Sequence, residues 1–163
     1  MHAQATADRA SPGWLTWLVI GALVAGALDI IYAIVFSYFR SGVAPSRILQ
    51  SVASGALGRA AYDGGAQTAA LGLGFHFLNA FITTIFFLAA RAMPRLVQKP
   101  IAIGAAYGVV VYLAMNYVVI PLSAIGVFPR PAMVVWVSGV LVHMFLIGVP
   151  IALAARGAFG RTG

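Results

Sequence analysis

Five polar side chains set in otherwise apolar stretches carry most of the chemistry open to this chain: Asp29, His76, Asn79, Asn116 and His143. Asp29 is the one acid inside any long apolar run. A carboxylate brought beside an imidazole is expected to share a proton with it, and the two asparagines would complete the hydrogen bonding. Such a pair binds or passes protons, or holds a small polar solute. The same residue types allow a second chemistry. His76 and His143 could be the axial ligands of a haem b, or join Asp29 in a set of two histidines and one carboxylate around a metal. No HxxH or HxxxH spacing accompanies them. A third possibility is that these residues only hold helices together in an accessory or assembly subunit. The absence of cysteine removes disulfides, thiolate ligands and a Cys nucleophile. Nothing resembles a hydrolase elbow, a P-loop or a zincin helix. Ser123 and Ser138 have no base nearby in sequence. No catalytic residue is assigned, and a non-enzymatic role is expected.

These side chains need a frame, and the composition indicates which. Of 163 residues, 62% are hydrophobic and 8% are charged, where a soluble domain carries about 25% charged residues. The apolar residues fall in runs long enough to span a bilayer as helices. The expected fold is all-α: a bundle of four transmembrane helices, over about 14–39, 66–91, 101–121 and 132–155, plus one short interfacial helix. Within the second run, Gly65, Ala69, Gly72, His76, Asn79 and Thr83 recur at alternating steps of four and three. That rhythm places small and polar side chains on one seam of a helix. In lipid such a seam is expected to face protein. Ala132, Trp136, Gly139, His143, Leu146 and Pro150 follow the same rhythm in the fourth run. Gly104, Gly108, Tyr112 and Asn116 repeat every four residues in the third. Gly21, Gly72, Gly104, Gly108 and Gly139 are the expected sites of close helix packing.

Residues 1–13 read as a disordered tail, with Ser11-Pro12 as a helix start. Trp14 and Trp17 suit one membrane interface, and Tyr38 and Arg40 the other. The run continues well past Ala25-Gly26-Ala27, which favours a span over a cleaved signal peptide. The stretch 45–58 is too short and too polar to span. With Ile48, Leu49, Val52 and Ala56 near one face and Arg47, Gln50, Ser51 and Ser54 away from it, a helix lying in the interface is expected, a plain loop being the alternative. Pro94 and Pro100 bound a basic loop. Pro121 should end the third helix, and Pro150 should kink the fourth. Residues 157–163 read as a loose tail.

Depth ties the five polar residues together. At about 1.5 Å per residue, Asp29 lies roughly 22 Å along the first span from Trp14, and His76 roughly 15 Å into the second, entering from the other side. In a core of about 30 Å these levels nearly coincide, and Asn79, Asn116 and His143 fall close by. Alternating helix direction thus brings all five into one layer.

The net charge of +7 does not indicate nucleic acid, because the ten Lys and Arg residues lie scattered at the ends of apolar runs. They suit contact with anionic headgroups of a bilayer. Arg9, Arg91, Arg95, Lys99, Arg156 and Arg161 share one side, against Arg40, Arg47, Arg59 and Arg130 on the other. The bias puts both termini in the cytoplasm. The close-packing glycines also admit a homo-oligomer or a place in a larger membrane complex.

From about residue 74 onward the chain resembles the YagU-like family of small bacterial inner-membrane proteins. The resemblance is carried by His76 early in a span, Met93-Pro94 closing it, Gly104 and Gly108 opening the next, Pro121-Leu122 ending that one, and Gly139 with His143 in the last. It covers roughly the second half of the chain. It implies a multi-pass protein of the bacterial inner membrane and specifies little chemistry, since the family is largely without an assigned activity.

Overall fold

A computed structural model describes residues 13–127 and 131–160. The expected tail over 1–12 with its Ser11-Pro12 start, Arg130, and residues 161–163 lie outside the described residues. The described chain is helical, with α1 (Trp14–Ser41), α2 (Pro45–Leu57), α3 (Gly65–Thr83), α4 (Phe86–Ala92), α5 (Pro100–Ala114), α6 (Ile120–Leu122), α7 (Met133–Val142) and α8 (Val149–Phe159). A π-helical segment, Met115–Val119, joins α5 to α6, and another, His143–Gly148, joins α7 to α8. Four continuous stretches are long and apolar enough to cross a membrane: Trp14–Ser41, Gly65–Ala92, Pro100–Leu122 and Met133–Phe159. The last runs to Phe159, past Arg156, so the first residues assigned to a C-terminal tail are helical.

The first helix stops for a local reason. Gly42 takes a left-handed φ of 64° and its N–H closes on the Tyr38 carbonyl, the usual glycine helix ending. Pro45 then starts α2 in the first turn, where its missing N–H has no helical partner to lose.

The bundle is assembled on glycine. α1 packs against α3 and against the fourth stretch, which in turn packs against α5. At Gly104 and Gly148 the third and fourth stretches cross backbone to backbone, and Gly108 lies against the backbone of His143 and Met144. Gly21 rests on Ala154, Gly139 on the ring of Tyr112, and Gly26 on Phe77 and Ala80. The second and third stretches meet through side chains. Tyr107 packs on Phe86 with ring centroids 4.9 Å apart, and its hydroxyl donates to the Thr83 carbonyl. At the Trp14 end the interior is apolar, built from Phe86, Phe87, Ile147, Ile151, Ala154 and their neighbours. The outside is apolar as well, with Ile31, Leu78, Ile82, Leu88 and Val110 all exposed.

Three features add to the reading of the sequence. The second stretch is not one unbroken helix: α3 gives way at Thr84 and Ile85 before α4 begins. Thr83 and Thr84 each turn a hydroxyl back onto a carbonyl three residues earlier, Ala80 and Phe81. Such back-bonding competes with the helical ladder and bends it.

α2 presents its polar side to the protein. Gln50, Ala53 and Ser54 are its buried residues, while Ala56, on the apolar face, is exposed. Gln50 draws it in, its Nε2 donating to Gly65 O at 3.0 Å and to Thr68 Oγ1 at 3.4 Å. Gly72 makes room for the Leu49 backbone.

Pro121 and Pro150 both lie inside helix, each just after a π-helical segment. Proline has no N–H to give and its ring collides with the carbonyl four residues back. Widening the preceding turn moves that carbonyl aside, so each proline is preceded by a π-turn, and the third helix ends directly after Pro121, at Leu122, as its sequence indicates.

Candidate functional site

The structure brings Asp29, His76, Asn79, Asn116 and His143 to the wall of one cavity of about 440 Å³. They arrive from all four long stretches: Asp29 from α1, His76 and Asn79 from α3, Asn116 and His143 from the two π-helical segments. Ala25, Val111 and Ile147 line its inner end and belong to the apolar core. Val52 of α2, Ile120, Pro131 and Val135 line it toward the opposite end of the bundle. The cavity therefore rests on a close-packed apolar floor and reaches up to α2.

Local helix geometry positions the polar groups. Asn116 Nδ2 donates to the Tyr112 carbonyl at 2.9 Å, and His143 Nδ1 to the Gly139 carbonyl at 2.9 Å. Both bonds run four residues back, at the onset of a π-helical segment. Each side chain shares its carbonyl with a backbone donor, the N–H of His143 at Gly139 and the N–H of Met115 at Tyr112. The ring of Tyr112 then meets His143 edge-on, centroids 5.2 Å apart at 85°. On the other side of the cavity, His76 Nε2 donates to the carbonyl of Gly26 on α1 at 2.8 Å. Gly26 allows this approach because it offers no side chain to Phe77 and Ala80.

The expected direct bond between Asp29 and an imidazole is not formed. Each imidazole instead gives a hydrogen to a backbone carbonyl. The carboxylate has no hydrogen-bond partner among the described residues, and neither has the Asn79 amide. Nor do the asparagines complete a pair, since Asn116 is engaged within its own helix. Helix carbonyls lie closer to both imidazoles than Asp29 does, and a bond to them asks no movement of backbone.

No group of three His, Cys, Asp or Glu among the described residues is gathered closely enough to hold a metal ion. Haem ligation through His76 Nε2 would first have to break its bond to Gly26.

Two participants were not singled out from sequence. Tyr112 was one of a row of small and polar residues, yet it packs on Gly139 and His143 and lines the cavity. Tyr107 bonds the carbonyl left open at the break after Thr83, and no periodicity marks it. The prolines at 121 and 150 were the available signal for irregular helix beside Asn116 and His143.

No family model, curated protein or solved structure matches this chain.

Proposed function

We propose that this chain is a multi-pass membrane protein whose polar chamber binds a small solute, with Asp29 as the charged anchor. The observation that carries this reading is the convergence of Asp29, His76, Asn79, Asn116 and His143 on one cavity while Asp29 and Asn79 have no bonding partner among the described residues. A chamber of about 440 Å³ has the size of small-molecule sites, about 300–1,000 Å³. Mostly apolar walls with a few convergent polar groups are also typical of such sites. The floor of Ala25, Val111 and Ile147 above the Phe87–Ile151 core favours binding over free conduction. A layer serving only to join helices would direct its hydrogen bonds between them, yet only His76 bonds across helices while Asn116 and His143 bond within their own. An intramembrane ionisable group kept without a partner fits a functional site better.

The setting belongs to the same proposal. The protein sits in a bacterial inner membrane with both termini in the cytoplasm, as the YagU-like resemblance and the distribution of Lys and Arg suggest. α2 then lies near the outer interface, across the mouth of the chamber.

Native mass spectrometry of the protein released from its host membrane tests the reading. The parent chain should carry a small-molecule adduct. Asn79→Phe, which fills the chamber without removing a protein hydrogen bond, should fold and lack it. An adduct spectrum that is empty, or unchanged by Asn79→Phe, overturns the proposal.

A further inference from the structure

The hydrogen bonds already made around the chamber decide what it can still offer. A carbonyl only accepts, so the nitrogen that His76 turns to Gly26, Nε2, carries the hydrogen. A neutral ring then keeps a bare lone pair on Nδ1. By the same logic His143 holds its hydrogen on Nδ1, toward Gly139, and keeps a lone pair on Nε2. Asn116 gives Nδ2 to Tyr112 and retains Oδ1 as an acceptor. Asp29 adds a carboxylate with no bonded partner among the described residues. The donors left over are the Asn79 amide, the second N–H of Asn116 and the Tyr112 hydroxyl; acceptors outnumber them, and one of the acceptors is the Asp29 carboxylate. Among the described residues lining the chamber there is no Lys or Arg to balance that anion. The rest of the wall is hydrocarbon, from Ala25, Val52, Val111, Ile120, Val135 and Ile147.

An acceptor-rich, singly anionic site with apolar walls is complementary to a donor-rich cation with an apolar body. Resting on the binding reading above, we propose that the chamber's ligand is a small organic ammonium ion, its N–H groups directed to Asp29 and the free imidazole nitrogens. A bare metal ion would need ligands gathered more closely than these. An anionic solute would meet the Asp29 carboxylate and lone pairs with no hydrogen to offer them. Charge-assisted hydrogen bonds in a water-poor site are the strong ones, so the charge of the ligand should dominate its affinity.

The test compares three probes of one shape on the full chain in neutral detergent: 2-phenylethylammonium, 2-phenylethanol and phenylacetate, by titration calorimetry. The ammonium should bind about tenfold or more tightly than the alcohol, since a charge-assisted bond is worth at least that factor. Phenylacetate should not bind. Asp29→Asn, nearly isosteric, should remove the advantage of the ammonium over the alcohol. If the alcohol or phenylacetate matched the ammonium, the chamber would still be a binding site but its proposed charge preference would be wrong. The same holds for an ammonium affinity indifferent to Asp29→Asn. Binding of none of the three, in a protein that carries a native adduct sensitive to Asn79→Phe, would likewise overturn the ammonium assignment and leave the binding reading standing.

Discussion

The backbone of Gly104 crosses that of Gly148 with no side chain between them. The third and fourth helical stretches are locked together at this point, which sets the separation at which Tyr112 meets His143 further along the same interface. An added methyl at either glycine would strike backbone, which cannot swing aside. Gly148→Ala should therefore lower the unfolding free energy by about 1–3 kcal/mol, the usual penalty of overpacking. Gly74, with open space around it, provides the contrast: Gly74→Ala should be stabilising by about 0.5–1 kcal/mol through helix propensity alone. Unfolding of the two variants in mixed detergent micelles would measure both. Equal effects would mean that the crossing does not limit stability.

Gln50 ties α2 to the start of α3 through Gly65 and Thr68. Gln50→Leu removes both bonds, each worth about 0.5–1.5 kcal/mol net, while Thr68 Oγ1 still donates to the Gly65 carbonyl. The loss should appear as local release of α2. Because the chain has no cysteine, a single Ala53→Cys reports on this site alone. Its thiol, at a buried position, should react slowly in the parent background and markedly faster with Gln50→Leu.

Pro150 follows the π-helical segment that holds His143. Pro150→Ala restores an N–H and removes the ring, so the turn before it can tighten to an α-helix. Tightening rotates every residue on one side of the change by about 100° relative to the other, one residue's step in a helix of 3.6 per turn. His143 should lose either its bond to Gly139 or its place on the chamber wall, and ligand binding should fall while the helix content holds. An experimentally determined structure of Pro150→Ala with His143 unmoved would refute the proline account of the π-turn.

The charge of the chamber sets a direction for pH. Its titratable groups are Asp29, His76, His143 and the hydroxyl of Tyr112. Protonating Asp29, His76 or His143 adds positive charge to the wall. An ammonium ligand should therefore bind more weakly as pH falls, and calorimetric titrations across mildly acid to neutral pH should show it. A neutral probe such as 2-phenylethanol should change far less over the same range. A rise in ammonium affinity toward acid pH would contradict the acceptor-rich chamber.

The sequence alone was sufficient for four long apolar helices, and its residue spacing agrees with the shared cavity of Asp29, His76, Asn79, Asn116 and His143. Helix rise and alternating direction depend only on residue spacing, and a seam repeating at steps of four and three must fall on one helical face. Contacts settled by competition between partners needed the tertiary structure. Asp29 and the imidazoles share a cavity, but the carbonyls of Gly26 and Gly139 lie nearer the rings and take their hydrogens. Gln50 overrides the apolar side of α2 because a buried amide must find partners, and Gly65 and Thr68 supply them. The break after Thr83 and the π-turns before Pro121 and Pro150 arise where a helix cannot keep its regular ladder, and Tyr107, Asn116 and His143 add side-chain donors to carbonyls there. Which side chain reaches such a carbonyl depends on neighbours distant in sequence, as with Tyr107 and Thr83, so spacing within one segment does not reveal it.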